Sequence, residues 1–98
     1  MDCIFLNFES FNSKDKSTVY LKFDVYDIQA RTVYPIFTSI DRISLPDGVL
    51  PSREEVIQTF PRFGSCNLKF ESYTNKEGRL TYRPTVTDIS EWKYLKIK

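Results

Sequence analysis

Two stretches of this 98-residue chain, 20–26 and 69–83, carry tyrosine, lysine and arginine at alternate positions. Aromatic rings can stack on nucleic-acid bases and cationic side chains can hold phosphates, so the combination is typical of single-strand binding. The same residue types are also common on the solvent-facing side of strands, where cross-strand pairs contribute ~0.2–1 kcal/mol each. Both interpretations stay open from the residues alone. The candidate binding residues are Tyr20, Lys22, Tyr26, Lys69, Tyr73, Arg79 and Arg83.

Catalytic and metal chemistry find little support in the composition. The chain has no histidine, which removes the commonest general base and metal ligand. Cys3 and Cys66 lie far apart, so neither the spacing of a zinc site nor a CxxC redox motif is present. We expect each to be a small buried residue in a reducing cytoplasm, with a disulfide between them as the alternative. The sequence predicts a non-enzymatic protein with no catalytic residue, metal site or cofactor.

The charge is unevenly distributed, although the whole chain carries only +1. Residues 1–61 contain six Lys/Arg and nine Asp/Glu, a net −3, whereas residues 62–98 contain eight and four, a net +4. This favours an anionic partner for the C-terminal third, with ordinary solvated charge as the alternative. No apolar run approaches the ~20 residues of a membrane helix, and the first residues lack the basic region of a signal peptide. We expect a cytoplasmic protein without membrane contact.

The first of the two stretches lies within a predicted hairpin over residues 17–40. Apolar residues alternate there with the candidate tyrosines and lysine, which predicts a strand with one buried and one outward face. The buried residues are expected to be Val19, Leu21, Phe23 and Val25. Pro35 in the return strand suits an edge or a bulge. The N-terminal run also predicts a strand, with Ile4, Leu6 and Phe8 on one side and Phe5 on the other.

The second half predicts one helix and a second hairpin. Ser52 and Glu55 form a capping-box pattern, and Pro61 ends the helix that starts there. From residue 64 the alternation returns to period two, with a loop at 75–78 and Phe70 on the apolar face. The tail, 92–98, alternates aromatic or aliphatic residues with lysine and predicts a sixth strand or an arm. Trp92 could stack on a base or close one end of the fold.

This order of three strands, a short helix, two strands and a tail predicts a mainly β chain forming one domain over residues 1–98. It is the order of an OB-like Greek-key barrel of five or six strands, with the helix between strands three and four. Other small β barrels and α+β sandwiches share the count. A closed barrel would also hide the edges that an open sheet leaves exposed.

Three segments of the chain resemble the single-stranded-DNA-binding proteins of filamentous phages, the gene V protein family. They are 16–21 (KSTVYL), 34–37 (YPIF) and, more loosely, the hairpin 64–89. The resemblance implies a small OB-type homodimer that coats single strands cooperatively, with Tyr34 as the clearest aromatic contact. The helix predicted at 52–60 is extra to the family's pattern.

Two functions therefore compete at the level of sequence. The first is sequence-tolerant binding of single-stranded DNA or RNA, coating or protecting it in the host cytoplasm during phage or mobile-element replication. The second is a phage or plasmid protein-interaction module, an inhibitor or assembly factor, acting through a tyrosine-rich face or a sheet edge. The outward residues of the two hairpins form one groove only if their polar faces come together.

Overall fold

β-strands make up most of the fold. A computed structural model describes residues 1–94, in which the strands are β1 (Asp2–Phe5), β2 (Glu9–Asn12), β3 (Val19–Asp27), β4 (Thr32–Ser39), β5 (Arg62–Thr74) and β6 (Leu80–Tyr94). The α-helix of this part, α1 (Arg53–Thr59), lies between β4 and β5. The predicted mainly β fold with one short helix is thereby confirmed. The first part of the predicted tail continues β6, and residues 95–98 lie outside the described residues.

All six strands belong to one sheet with antiparallel pairing. β2 and β1 pair with the first and last parts of the same edge of β3, so together they act as one interrupted strand. β4 pairs with the other edge of β3, and β1 also pairs with β5, which continues into the β5–β6 hairpin. Counted in this way, the predicted order of three strands, helix and two strands is retained.

The break between β1 and β2 is held by Asn7. Its side-chain amide donates to Asp24 Oδ2 at 2.9 Å, and its side-chain oxygen accepts from the Asp24 backbone N–H at 2.8 Å. The break shifts the alternation by one residue, so that Phe5 and Phe8 are both buried on the inner side of the sheet. The expectation that they lie on opposite sides is wrong, because alternation holds only within an unbroken strand.

The core is built around aromatic rings from the first strands. The Phe23 ring of β3 lies 6.3 Å from Phe5 and 5.6 Å from Phe8 between centroids, and Trp92 of β6 meets Phe5 edge-on at 5.6 Å. Trp92 therefore closes one end of the core, the second of the two roles considered for it. Phe70, expected inside, is 56% exposed because it lies on the part of β5 that extends beyond β1.

The buried thiols of Cys3 and Cys66 contact each other across β1 and β5. Their Sγ atoms are 3.6 Å apart, and both cysteines are free. The hydrogen bond with Cys66 and burial raise the pKa of Cys3, since two adjacent buried thiols cannot both ionise. The pair is thus two small apolar side chains that join the N-terminal strand to β5.

Local side-chain bonds fix the helix and the turns much as the sequence predicts. The Ser52 hydroxyl accepts from the Glu55 backbone N–H at 3.2 Å and caps α1. In the β5–β6 loop the Asn75 side-chain oxygen accepts from the backbone N–H of Arg79 at 3.0 Å. The β3–β4 turn has no glycine, and Arg31 takes the left-handed conformation instead, with φ of 53°.

The two ends of the sheet curl toward each other. Ser44, which follows β4, forms a parallel bridge with Asp88 of β6. The Ile89 backbone N–H donates to the Ser44 carbonyl oxygen at 2.8 Å. On the inner side, the Tyr34 ring of β4 meets Phe70 of β5 at 5.7 Å. The result is a small barrel-like β fold. Within residues 1–94 no helix combines the length and the apolar character of a membrane span.

Candidate nucleic-acid interface

The outer half of the β5–β6 hairpin, which we call the arm (residues 69–84), has two different faces. β1 pairs with β5 only at residues 62–65, so the arm extends beyond this neighbour. By the β5–β6 register and strand alternation, one side carries Lys69, Glu71, Tyr73, Thr81 and Arg83, and Arg79, one residue before β6, continues this alternation. We call this side, with Arg79, the basic face. The opposite side carries the apolar residues Phe70, Leu80 and Tyr82. The arm thus separates charge from apolar surface.

The basic face brings together four of the residues that the sequence predicts for binding. The Arg83 guanidinium carbon lies 5.3 Å from the centroid of the Tyr73 ring, a cation–π distance. Tyr73 is nevertheless 40% exposed, and Lys69 and Arg79 lie on the same side of the hairpin. Residues 69–84 contain four Lys/Arg and two Glu, a net +2. An exposed ring can stack on a base, and the cationic side chains around it can bind the neighbouring phosphates.

The other predicted residues, Tyr20, Lys22 and Tyr26, lie on the outer side of β3, as expected. Tyr20 belongs to a group of three rings that we call the aromatic cluster, completed by Phe11 of β2 and Phe37 of β4. The Tyr20 ring stacks on Phe37 at 5.4 Å and lies 5.9 Å from Phe11. Phe37 is 51% exposed, so the cluster is an apolar surface open to a partner.

The surroundings of the aromatic cluster are not basic. Lys22 pairs across the strands with Glu9, and Asp24 follows on the same face of β3. In the nearby loop, hydrogen bonds from the hydroxyls of Ser13 and Ser17, at 2.6 and 2.7 Å, lower the pKa of Asp15 to about 2, so this carboxylate stays ionised. A phosphate backbone would meet no excess of cations here, in contrast to the arm.

Tyr34, the residue that the family resemblance implies as a contact, faces the other way. It pairs with Val25, so its side chain shares the inner side of the sheet and packs against the core. Its ring contacts Phe70 rather than the aromatic cluster. The Tyr34 side chain is therefore turned away from the outer side of the sheet.

The two hairpins do not bring their polar faces into one groove. Ile4 of β1 pairs with both Tyr26 and Phe63, which places these two residues at the same level of the sheet. Because β1 is antiparallel to both partners, β3 and β5 run in the same direction. Tyr20 lies six residues before this level and Lys69 six residues beyond it, about 20 Å each way at ~3.3 Å per residue. The aromatic cluster and the basic face are separate surfaces.

Arg62, the first residue of β5, is held by contacts with neighbouring side chains of the fold. Its guanidinium carbon lies 4.7 Å from the Phe60 ring and 5.1 Å from the Trp92 ring, and one of its nitrogens donates to the Thr59 hydroxyl at 2.7 Å. Burial lowers the pKa of this guanidinium. These contacts place Arg62 among the residues that connect α1 to the core.

Three surface residues escape prediction from the sequence. Phe37 alternates with inward residues on β4, but both faces of that strand carry apolar side chains, so the pattern does not say which face is outside. Phe11 lies in β2, beyond the N-terminal strand that the sequence predicts, in a segment that the sequence does not indicate as a strand. Arg42, in the 3-10 turn Ile40–Arg42, reaches Glu71 of the arm at 3.5 Å, and no local pattern marks a contact across that distance in sequence.

Comparison of the chain with protein-family models, with curated proteins and with solved structures finds no match.

Proposed function

We propose that this chain is a non-enzymatic protein that binds single-stranded nucleic acid through the basic face of its arm. The observation that carries the proposal is the exposed Tyr73 ring, with Arg83 against it and Lys69 and Arg79 on the same face. A ring can stack on any base, so the binding is tolerant of sequence. Resemblance to the gene V family supports DNA as the strand, a cytoplasmic role in coating it during phage or mobile-element replication, and a homodimer.

Titration of labelled oligo-dT at low and at moderate salt tests the proposal. We expect affinity to fall with salt, with a log–log slope of about 0.7 per phosphate contacted by the protein. A duplex of the same length should bind more weakly, because its bases are not free to stack. Absence of binding at micromolar protein in low salt would contradict the proposal.

Replacing Tyr73 with alanine is expected to weaken oligo-dT binding about tenfold, since base stacking on an aromatic side chain is worth ~1–3 kcal/mol. Tyr82→Ala is the matched control, because Tyr82 is 64% exposed on the opposite side of the same arm. Fluorescence anisotropy measures both affinities, and circular dichroism checks that both variants fold. Equal losses in the two variants, or no loss in Tyr73→Ala, would remove Tyr73 from the interface.

A protein-interaction module is the second candidate, and the aromatic cluster favours it. Three neighbouring rings on an open sheet face, with balanced charge around them, suit an apolar partner surface better than a phosphate backbone. We expect Phe37→Ala to leave oligo-dT affinity within about twofold, because a surface without an excess of cations adds little to phosphate binding. If the second candidate is correct, Phe37→Ala should also release a host protein that the wild type retains after nuclease treatment. A tenfold loss of oligo-dT affinity would instead assign the cluster to nucleic acid.

A further inference from the structure

Glu71 is the carboxylate on the basic face, and it lies between two arginines. Its Oε1 is 3.5 Å from Arg42 Nη2, and its Oε2 is 3.9 Å from Arg83 Nη2. Arg42 comes from the 3-10 turn that follows β4, whereas Arg83 lies opposite Glu71 on β6. One carboxylate thus draws an arginine from outside the hairpin onto the face that carries Tyr73.

The contribution of these ion pairs to folding is small. All three side chains are substantially exposed, and ion pairs in solvent add little stability. In the part of the chain that the structure describes, the recorded ion pairs do not include Lys69 or Arg79. Lys69 and Arg79 are therefore directly accessible to a ligand, whereas Arg83 and Arg42 each face the Glu71 carboxylate.

A phosphodiester oxygen and a carboxylate oxygen are interchangeable acceptors for a guanidinium. A strand that binds across Tyr73 carries phosphates on either side of the stacked base. One of them can take over the donors of Arg42 and Arg83 only by displacing Glu71, because two anions cannot share these positions without repulsion. Binding then includes an exchange of carboxylate for phosphate.

We propose that Arg42 is a further nucleic-acid-binding residue and that Glu71 occupies both Arg42 and Arg83 until a phosphate displaces it. This inference rests on the proposed function of the basic face and adds a binding residue and a competing group to it. Glu71 lowers the affinity for single strands and Arg42 raises it. The intrinsic carboxylate keeps the two arginines ordered in the free protein and makes the bound strand easier to release.

The test compares Glu71→Gln with Glu77→Gln. Both variants remove one negative charge from the β5–β6 hairpin, but Glu77 lies in the loop, and no ion pair of Glu77 is recorded within residues 1–94. We expect Glu71→Gln to bind oligo-dT at least about fivefold more tightly than wild type, with a steeper salt dependence. In the wild type, the displaced Glu71 carboxylate takes up salt cations and so offsets part of the counterions released from the strand, whereas the glutamine does not. Glu77→Gln should gain less than about twofold.

Arg42→Ala completes the comparison. Introduced into Glu71→Gln, it should remove most of the gained affinity, and circular dichroism should show that each variant remains folded. Equal gains in Glu71→Gln and Glu77→Gln would overturn the inference, as would an Arg42→Ala change without effect in the Glu71→Gln background. If the wild type binds oligo-dT and these variants behave alike, only the exchange is wrong. If the wild type does not bind in low salt, the proposed function fails with it.

Discussion

Replacing Phe23 with alanine is expected to reduce the free energy of unfolding by ~3–5 kcal/mol, the usual cost of removing a buried phenylalanine. The ring is buried at the middle of β3 and contacts Phe5 of β1 and Phe8 of the segment between β1 and β2, so its loss opens a cavity in the core between them. A domain of this size has a total stability of ~5–15 kcal/mol, and the variant would lose a large share of it. Urea denaturation followed by circular dichroism measures the difference.

Phe70→Ala is the control for that experiment. The same residue type is removed, but Phe70 is largely exposed on the arm, and its recorded ring contact is with Tyr34. We expect a loss below ~1 kcal/mol, as for most exposed positions. Similar losses in the two variants would mean that the core is not centred on Phe23.

Gly64→Ala is expected to destabilise the protein by about 3 kcal/mol or more, at or above the upper end of ordinary overpacking. Gly64 lies on β5 between β1 and β6, and a Cβ atom there would clash with the Glu91 carbonyl oxygen and stand 2.8 Å from the Trp92 Cα. Both contacts are with backbone, so β6 would have to move away from β5. Thermal and urea unfolding of the variant would show the loss as a lower midpoint.

Gly78→Ala separates this steric effect from the general cost of replacing glycine. Gly78 has a φ of 79° in the arm loop, and nothing lies within 4 Å of an added Cβ. The expected cost is about 1–2 kcal/mol, from the left-handed conformation alone. If Gly64→Ala were no more destabilising than Gly78→Ala, the close approach of β5 and β6 at Gly64 would be relaxed in solution.

The parts of the fold that depend on neighbouring residues could be predicted from the sequence. The alternation on β3, the Ser52 cap and the Asn75 loop each involve residues a few positions apart, and the structure has all three. The sequence could not predict which residues of the N-terminal run face the core, because Asn7 breaks the alternation through hydrogen bonds to Asp24 on another strand. The sequence also could not predict on which face of β4 the Tyr34 side chain lies, since that strand has apolar residues on both sides.

The candidate site divides in the same way. Lys69, Tyr73, Arg79 and Arg83 share a face because one short loop sets the register of their hairpin. The distance between that face and Tyr20 depends on how β1 pairs with β3 and β5, which no local pattern specifies. Arg42 reaches the arm through the same long-range arrangement. The sequence therefore predicts the chemistry of each strand better than the position of one surface relative to another.

The central position of β1 has a consequence for how the chain folds. The β3–β4 and β5–β6 hairpins each pair residues close in sequence, but Cys3 pairs with Gly64, sixty-one positions later. Closing so long a loop costs chain entropy before any contact repays it, and such pairings form late. The pairing of β5 with the N-terminal strand therefore closes a much longer loop than either hairpin does. Until residues 62–65 have been synthesised, β1 has no partner on that edge.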